Sequence, residues 1–511
     1  MNRKKLFLAA ALAASAVSRA DTPRKKCIAF GWEFRFITPQ QMLANAEKFK
    51  DTAIDGVGIY LMATNRAGQT IGSAGFTSGP EWDIEAFEDQ IPALRKLAET
   101  DHFRDSFLKC FDAPRKRIAW QDDAAWARIA RNMGVVGRLS RLTGIKGINS
   151  DPEDYHRQDQ YRRVDGEPPY DELAAIARRR GREVFGPLFR EQPEARVLFY
   201  WFLTSEKSYF ETPDPRAAAR EKGDLWPAFA DGILDALPPT ARIIDGDEHA
   251  YSSDYAQRGF HVSACNQRLF APLLLSPENR AKHALQVQTS FGLYLDMYVN
   301  DGGAWYFGPV DGSRVEHFRR NYSDAFKLAD EYVWLWGERL PTVHWEGAHV
   351  NPSVNTERTW AEALPDLYAP MLALHDADWG LRRRKAALAA AGRLVERSPD
   401  TGRFEMECAK NGSILFAEKD VSAGDTFAVS LKVRDDGAKA HVSWQDADGN
   451  WLWGLGSTWV PFAQPDSDGW RAGEVFVEAP MGARRLAIGL SAGSPEGGVV
   501  PVDALHVWKL H

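Results

Sequence analysis

Cysteine is scarce: four in 511 residues, at Cys27, Cys110, Cys265 and Cys408, far apart and without metal-ligand spacing. That excludes a disulfide framework and a cysteine-based zinc site, and leaves the four as small apolar filler. Past the first twenty residues no apolar run approaches the roughly 20 residues of a membrane helix. Positive charge is not in excess, since the formal net charge is −7, so nucleic acid is not an expected partner. No Gly-x-Gly-x-x-Gly follows the first apolar run, which argues against a dinucleotide fold. His-x-His, His-Glu-x-x-His and Gly-x-Ser-x-Gly are missing too, which leaves little support for a metal centre or a serine nucleophile.

Aromatic residues and acids at strand ends are what the chain has instead. Eighteen tryptophans are present. The N-terminus has the plan of a secretory signal: Arg3, Lys4 and Lys5, an apolar core from Leu6 to Val17, and Ser18-Arg19-Ala20 before Asp21. Residues 1–20 are therefore expected to be a signal peptide, and the protein an exported one, periplasmic or secreted. Eight short apolar strands then alternate with helices. They are Cys27–Glu33, Gly56–Leu61, Ser106–Phe111, the stretch entering Asp151, Ala195–Leu203, Ala241–Glu248, Phe291–Tyr298 and Glu331–Glu338. This pattern predicts an α/β fold, a (β/α)8 TIM barrel over 21–349. A helical bridge is expected over 350–393. From 394 to 511, short alternating runs split by Asp-Gly and Ala-Gly turns predict an all-β sandwich, jelly-roll-like.

Barrel enzymes carry their chemistry at the C-terminal ends of the strands. Here Glu33 ends the first strand, Asp151 and Glu153 the fourth, Asp247 and Glu248 the sixth, Asp296 the seventh and Glu338 the eighth. Trp32, Tyr155, Trp201, His249, Tyr251, Tyr298 and Trp336 lie on or beside that rim. Carboxyls can protonate a leaving oxygen and steady an oxocarbenium-like centre while aromatic faces stack on sugar rings. Asp151, Glu153 and Tyr155 share one parity, so an extended chain would point all three to one side. Several positions have a plainer reading: Glu33 as a hydrogen-bond anchor for a barrel loop, Asp247 as a helix cap, Glu338 as a support of barrel closure.

In plan the chain resembles the secreted glycoside hydrolases that join a TIM barrel to a carbohydrate-binding-module-like β-sandwich. Asp151-Pro-Glu153-Asp-Tyr155 looks like the Asp-x-Glu at the fourth strand of hexosaminidase and chitinase-type barrels. There the Glu is the general acid and the Asp steadies a substrate acetamido group. Lys146 and Asn149 occupy the two earlier acidic positions of the longer motif. By strand number, Glu153 and Asp296 are similar to the acid and nucleophile of the large retaining clan, without that clan's Asn-Glu pair. The resemblance implies Glu153 as acid/base, Asp296 or Glu248 as its partner, Asp151 as tuner, and a carbohydrate substrate. No cofactor is expected in the barrel. In the sandwich, Asp400, Glu405 and Asp503 loosely match acids that often hold a structural calcium in such modules. Trp444, Trp451, Trp453, Trp459 and Trp470 could form a stacking surface, with at least two expected in the core. A non-catalytic glycan binder and a metal-dependent hydrolase are the alternative readings.

Overall fold

The computed structural model describes residues 24–303, 305–375, 404–408, 413–418, 421–452 and 454–509. The expected signal peptide therefore lies outside the described residues, as do Trp453, Asp400 and residues 376–393 of the expected bridge. By its contacts the chain divides into two compact units, Met1–Met371 and Leu372–His511.

The first unit is built on parallel strands: β1 (Lys26–Gly31), β2 (Gly56–Tyr60), β3 (Phe107–Asp112), β4 (Gly147–Asp151), β5 (Arg196–Phe199), β6 (Arg242–Asp245), β7 (Val287–Thr289), β8 (Gly292–Tyr294) and β9 (Tyr332–Gly337). Their order is β8-β9-β1-β2-β3-β4-β5-β6-β7. Every neighbouring pair is parallel, with β1 and β9 matched from Lys26↔Tyr332 to Gly31↔Gly337. The two ends of this sheet, β7 and β8, belong to one stretch of chain and are separated by Ser290 and Phe291 alone. Across that gap the backbone stays tied on both sides: Ser290 N donates to Asp245 O (3.1 Å) and Trp334 N to Phe291 O (3.1 Å). The sheet is thus curled until its ends meet, consistent with a TIM-like barrel whose seventh strand is interrupted.

Helices separate the strands where the apolar spacing placed them. The longest two are α3 (Asp123–Thr143) and α4 (Tyr170–Glu191); they follow α1 (Pro39–Ala44) and α2 (Ile91–Glu99) and precede α5 (Trp226–Ala236). In α1 a capping box starts the helix, Thr38 accepting from Gln41 N while Gln41 reaches back. In α3, Asp122 caps Ala125 N at 3.0 Å and Gly144, at φ 83°, ends the helix. Trp126, Ile129, Met133, Val136 and Leu139 form its buried stripe. The remaining elements that matter for the site are α6 (Gly259–Cys265), α7 (Pro277–Gln286) and α8 (Arg314–Leu328).

Several strands end sooner than the apolar runs suggest. The fifth stops at Phe199 and the sixth at Asp245, and the seventh turns into a 3-10 helix at Leu295–Tyr298. Apolar residues continue past each strand because the turns behind them are also buried, and hydrophobicity alone does not mark where a ladder stops. Inside the sheet, Phe30, Phe107, Tyr200 and Trp334 form an aromatic plug, with Tyr200 stacked on Trp334 at 4.6 Å and Phe30 edge-on to both.

The second unit is two four-stranded antiparallel sheets. One has the order β10 (Phe404–Cys408), β17 (Gly498–Lys509), β12 (Thr426–Val433), β15 (Arg471–Glu478). The other has the order β11 (Ser413–Glu418), β16 (Arg485–Ser491), β13 (Lys439–Gln445), β14 (Thr458–Trp459). Phe427, Val429, Leu431 and Val433 alternate into the core opposite Val442, Trp444, Leu486, Ile488 and Leu490. Trp444 and Trp470 are buried, whereas Trp459 is 62% exposed with the His441 ring 5.1 Å away. Asp503 pairs across the sheet with Lys432, and the side chain of Glu405 is outside what is described. Cys27, Cys110 and Cys408 are buried, as small apolar filler would be, whereas Cys265 is exposed.

Candidate functional site

Lys109, on β3, is the centre of the site. Its Nζ lies 3.2 Å from the Tyr200 hydroxyl, 3.3 Å from Asn149 Oδ1 and 3.5 Å from Asp151 Oδ2. It also stands over the Tyr200 ring at 4.4 Å and faces the Tyr60 ring at 5.6 Å. Burial opposes its charge, but the fields of Tyr60, Asp151 and Glu248 outweigh that and hold the ammonium protonated.

Three carboxyls converge on this cation from two strand ends. β4 ends on Asp151, and Pro152 stops the ladder. The chain then turns, with Glu153 N donating to Asp151 Oδ1 (3.3 Å) and Tyr155 N to Glu153 O (3.1 Å). The expected shared parity of Asp151, Glu153 and Tyr155 therefore does not apply beyond the strand; a turn, not an extended chain, brings them together. Burial pushes the Glu153 carboxyl up and Asp151 adds to this, while the Tyr155 hydroxyl and the charges of Lys109 and His249 pull it back. Tyr155 exposes most of its ring, yet its hydroxyl is bonded to Glu153.

Glu248 comes from the end of β6. Gly246 has no room for a side chain, because a Cβ there would sit 2.6 Å from Phe199 O. Glu248 N donates to Tyr200 O at 2.8 Å, which fixes the start of a 3-10 turn over Glu248–Ser252. Burial raises the Glu248 carboxyl to about 8, with repulsion from Glu153 and Asp151 next and Lys109 in partial relief. Among the described residues the buried Tyr251 hydroxyl has no hydrogen-bond partner, and it feels the charge of Glu248. It is a donor beside the carboxyl centre that no described residue accepts from.

A second group adjoins the first. Asp296 is buried at the end of β8 and accepts from Glu338 N at 2.9 Å, with Arg339 Nε 3.6 Å away. Burial raises its carboxyl to about 6, and the main charges around it are Glu338 and Arg339. Glu338 Oε1 accepts from Trp336 Nε1 at 3.0 Å, and Trp336 stands edge-on to Tyr200 at 5.7 Å. Glu338 also acts on Glu248, so Asp296 joins the carboxyl centre through Glu338.

The remaining expected residues are placed elsewhere. Glu33 is buried with its carboxylate filled by Thr342 N, Thr342 Oγ1 (2.6 Å) and Trp345 Nε1 (2.7 Å), the loop-anchor geometry. Tyr298 leaves the rim altogether: the 3-10 turn carries it into the core, where Asn321 Nδ2 donates to its hydroxyl and Phe307 and Phe318 pack on it. Asp247 is buried and accepts from Ser263, facing a separate cavity. His249 is exposed, its Nε2 2.9 Å from Ser205 O. Trp201 packs edge-on to Trp226, and Trp32 is partly exposed. No His/Cys/Asp/Glu cluster able to hold a metal ion occurs among the described residues. No helix among them is long and apolar enough to cross a membrane.

Lys109, Tyr200, Tyr60 and Asn149 are site residues that the strand-end inventory passes over. Lys109 had a signal of its own: a lone lysine between Leu108 and Cys110 in an apolar strand is costly unless paired.

Several of these buried acids link stability to pH. Glu33 is raised to about 7, Glu248 to about 8, and Asp55, Asp245 and Asp296 each to about 6. Between about pH 5 and 8 the folded chain therefore binds more protons than the unfolded one, so stability falls as pH rises. Acids held low, such as Glu316 beside Arg319 and Arg320, act only at more acidic pH. The thermal midpoint of the first unit is expected to rise on going from pH 8 to pH 5; a midpoint that falls over that range would contradict this balance.

No protein-family profile matches the chain, and no curated protein matches it in sequence. Among solved structures, the exo-β-1,4-mannosidase Op5Man5 from an Opitutaceae bacterium is 10% identical, with 69% of this chain and 59% of that chain covered and a TM-score of 0.38. The GH20 β-N-acetylhexosaminidase of Streptomyces coelicolor is 13% identical over 74% of this chain and 72% of that one, with a TM-score of 0.34. The enzymatically active domain of tailspike protein 4 of bacteriophage CBA120 is 14% identical over 23% of this chain, with a TM-score of 0.18; the chain spans 17% of its length.

Proposed function

We propose that the chain is an exported glycoside hydrolase built on a (β/α)8 barrel, acting on a poly- or oligosaccharide at the Asp151–Glu153–Glu248 centre. The observation that carries this reading is the split environment of two carboxyls around one buried lysine. Glu248, raised to about 8, keeps a proton at neutral pH, while Glu153, also raised by burial, is drawn back toward its carboxylate by the Tyr155 hydroxyl and the charges of Lys109 and His249. Paired acids whose surroundings differ in this way divide into a proton donor and a charge-bearing partner. Glu248 is thus the group that protonates the leaving oxygen. Glu153 supports the positive charge developing at the sugar carbon, and Asp151 sets the Glu153 turn through its backbone N–H. This reverses the roles expected from the Asp-x-Glu resemblance, in which Glu153 gives the proton.

Tyr251 supplies a buried hydroxyl with a free donor, and Tyr155 and Trp336 supply aromatic surface at the rim. Hydrolysis of a glycan panel tests the reading. Reducing sugar should appear with at least one glycan, with kcat/KM falling as pH rises through about 8, where Glu248 loses its proton. Tight glycan binding with no cleavage at any pH would support the non-catalytic alternative instead.

A further inference from the structure

Glu248 and its neighbour Asp247 serve different spaces. Asp247 takes a left-handed backbone conformation, φ 42° and ψ 71°, at the step from β6 into the 3-10 turn. Glu248 then shares a field with Glu153 and Asp151, whereas Asp247 lines a cavity of about 280 Å³ on the other side of the turn. The walls are the loop after β5, the Glu248–Ser252 turn and α6, and they expose polar and apolar surface in about equal parts. Asp247, Lys207, Ser253 and Asn266 bring a carboxylate, an ammonium, a hydroxyl and an amide, and Phe210 brings one ring.

That size lies just below the usual range of ligand pockets, about 300 to 1,000 Å³, which commonly hold larger, more apolar molecules. A lining of hydroxyl, amide and carboxylate groups with one aromatic face suits a small, uncharged, hydroxyl-rich ring. A buried carboxylate accepts hydrogen bonds from adjacent hydroxyls, and a second acid, Asp254, also lines the space and opposes anionic rings. Consecutive Cα atoms are about 3.8 Å apart, so the cavity is next door to the carboxyl centre.

We propose that this cavity is a subsite for one neutral pyranose unit, with Asp247 accepting hydrogen bonds from its hydroxyls and Phe210 packing on the ring. The choice of a sugar rests on the carbohydrate reading above, but occupancy of the cavity needs no catalysis. Saturation-transfer NMR with D-glucose, D-mannose, D-galactose and N-acetyl-D-glucosamine tests it on the full chain. At least one of these sugars should bind the wild type, keep binding Glu248→Gln, and lose at least fivefold of its signal with Val262→Trp. Val262 lines the cavity and is 58% exposed, so the larger ring fills the space without disturbing buried hydrogen bonds. Asp247→Asn, which keeps an acceptor for Ser263, is a second variant and should weaken binding in the same direction. The proposal is overturned if none of the four binds, if Val262→Trp and Asp247→Asn both bind as well as wild type, or if Glu248→Gln loses the binding. Failure to cleave any glycan, with this binding intact, would remove the hydrolase reading and leave the subsite standing.

Discussion

Replacing Glu248 by Gln should lower kcat/KM by about two to four orders of magnitude on natural glycosides, the range typical for loss of a positioned general acid. Gln keeps the shape and cannot give a proton. The loss should shrink sharply on aryl glycosides whose leaving phenolate needs no protonation, and the fall in rate above about pH 8 should disappear with the group that causes it. Glu153→Gln should behave oppositely, losing activity on both kinds of substrate, because a carboxylate that supports the developing charge is needed whatever leaves. If Glu153→Gln is the variant rescued by good leaving groups, the two roles are exchanged and the Asp-x-Glu resemblance had them right. The arrangement around Lys109 would stand in either case.

Lys109→Met is expected to cost about 3 kcal/mol of stability, measured by urea unfolding at pH 7, since removing one partner of a buried ion pair strands the other. Lys109 and Asp151 are each largely buried, with side-chain exposures of 12% and 13%. The substitution should also move both limbs of the pH–rate profile to higher pH. Lys109 lowers the proton affinity of Glu153 and of Glu248, and both carboxyls would hold their protons longer without it. Lys109→Arg keeps the charge, so it should leave the limbs near their wild-type positions even if its bulk disturbs the packing with Tyr60 and Tyr200. A Lys109→Met profile with unshifted limbs would show that the lysine is a packing element and not the source of the field.

Much of this was legible in the chain. The alternation of apolar runs and helices located eight of the nine strand segments of the parallel sheet and missed Val287–Thr289, the first half of the interrupted seventh strand; Asp151, Glu153 and Glu248 were singled out because acids at apolar strand ends are conspicuous. Strand ends were the weak point. The residues from Leu295 to Tyr298 continue an apolar run, yet they wind into a 3-10 turn, and this sends Tyr298 into the core and Asp296 against Glu338 N. Nothing in a linear pattern distinguishes a buried strand residue from a buried turn residue. Asp247 and Glu248 read as one acidic pair, and only the left-handed backbone at Asp247 separates them into two spaces. The Glu33 contacts illustrate a further limit, because Thr342 and Trp345 lie at the opposite end of the first unit's sequence. Such partners are visible only once β1 and β9 are side by side.

That pairing of β1 with β9 has a consequence for synthesis. Lys26 leaves the ribosome long before Tyr332, its register partner, exists. Until then β1 has β2 on one side and an open edge on the other, in a sheet where closure depends on contacts very distant in sequence. Until Tyr332–Gly337 has emerged, the nascent chain can hold partial sheets but not the closed one. The same topology that completes the site thus keeps it incomplete until the last strand of the ring arrives.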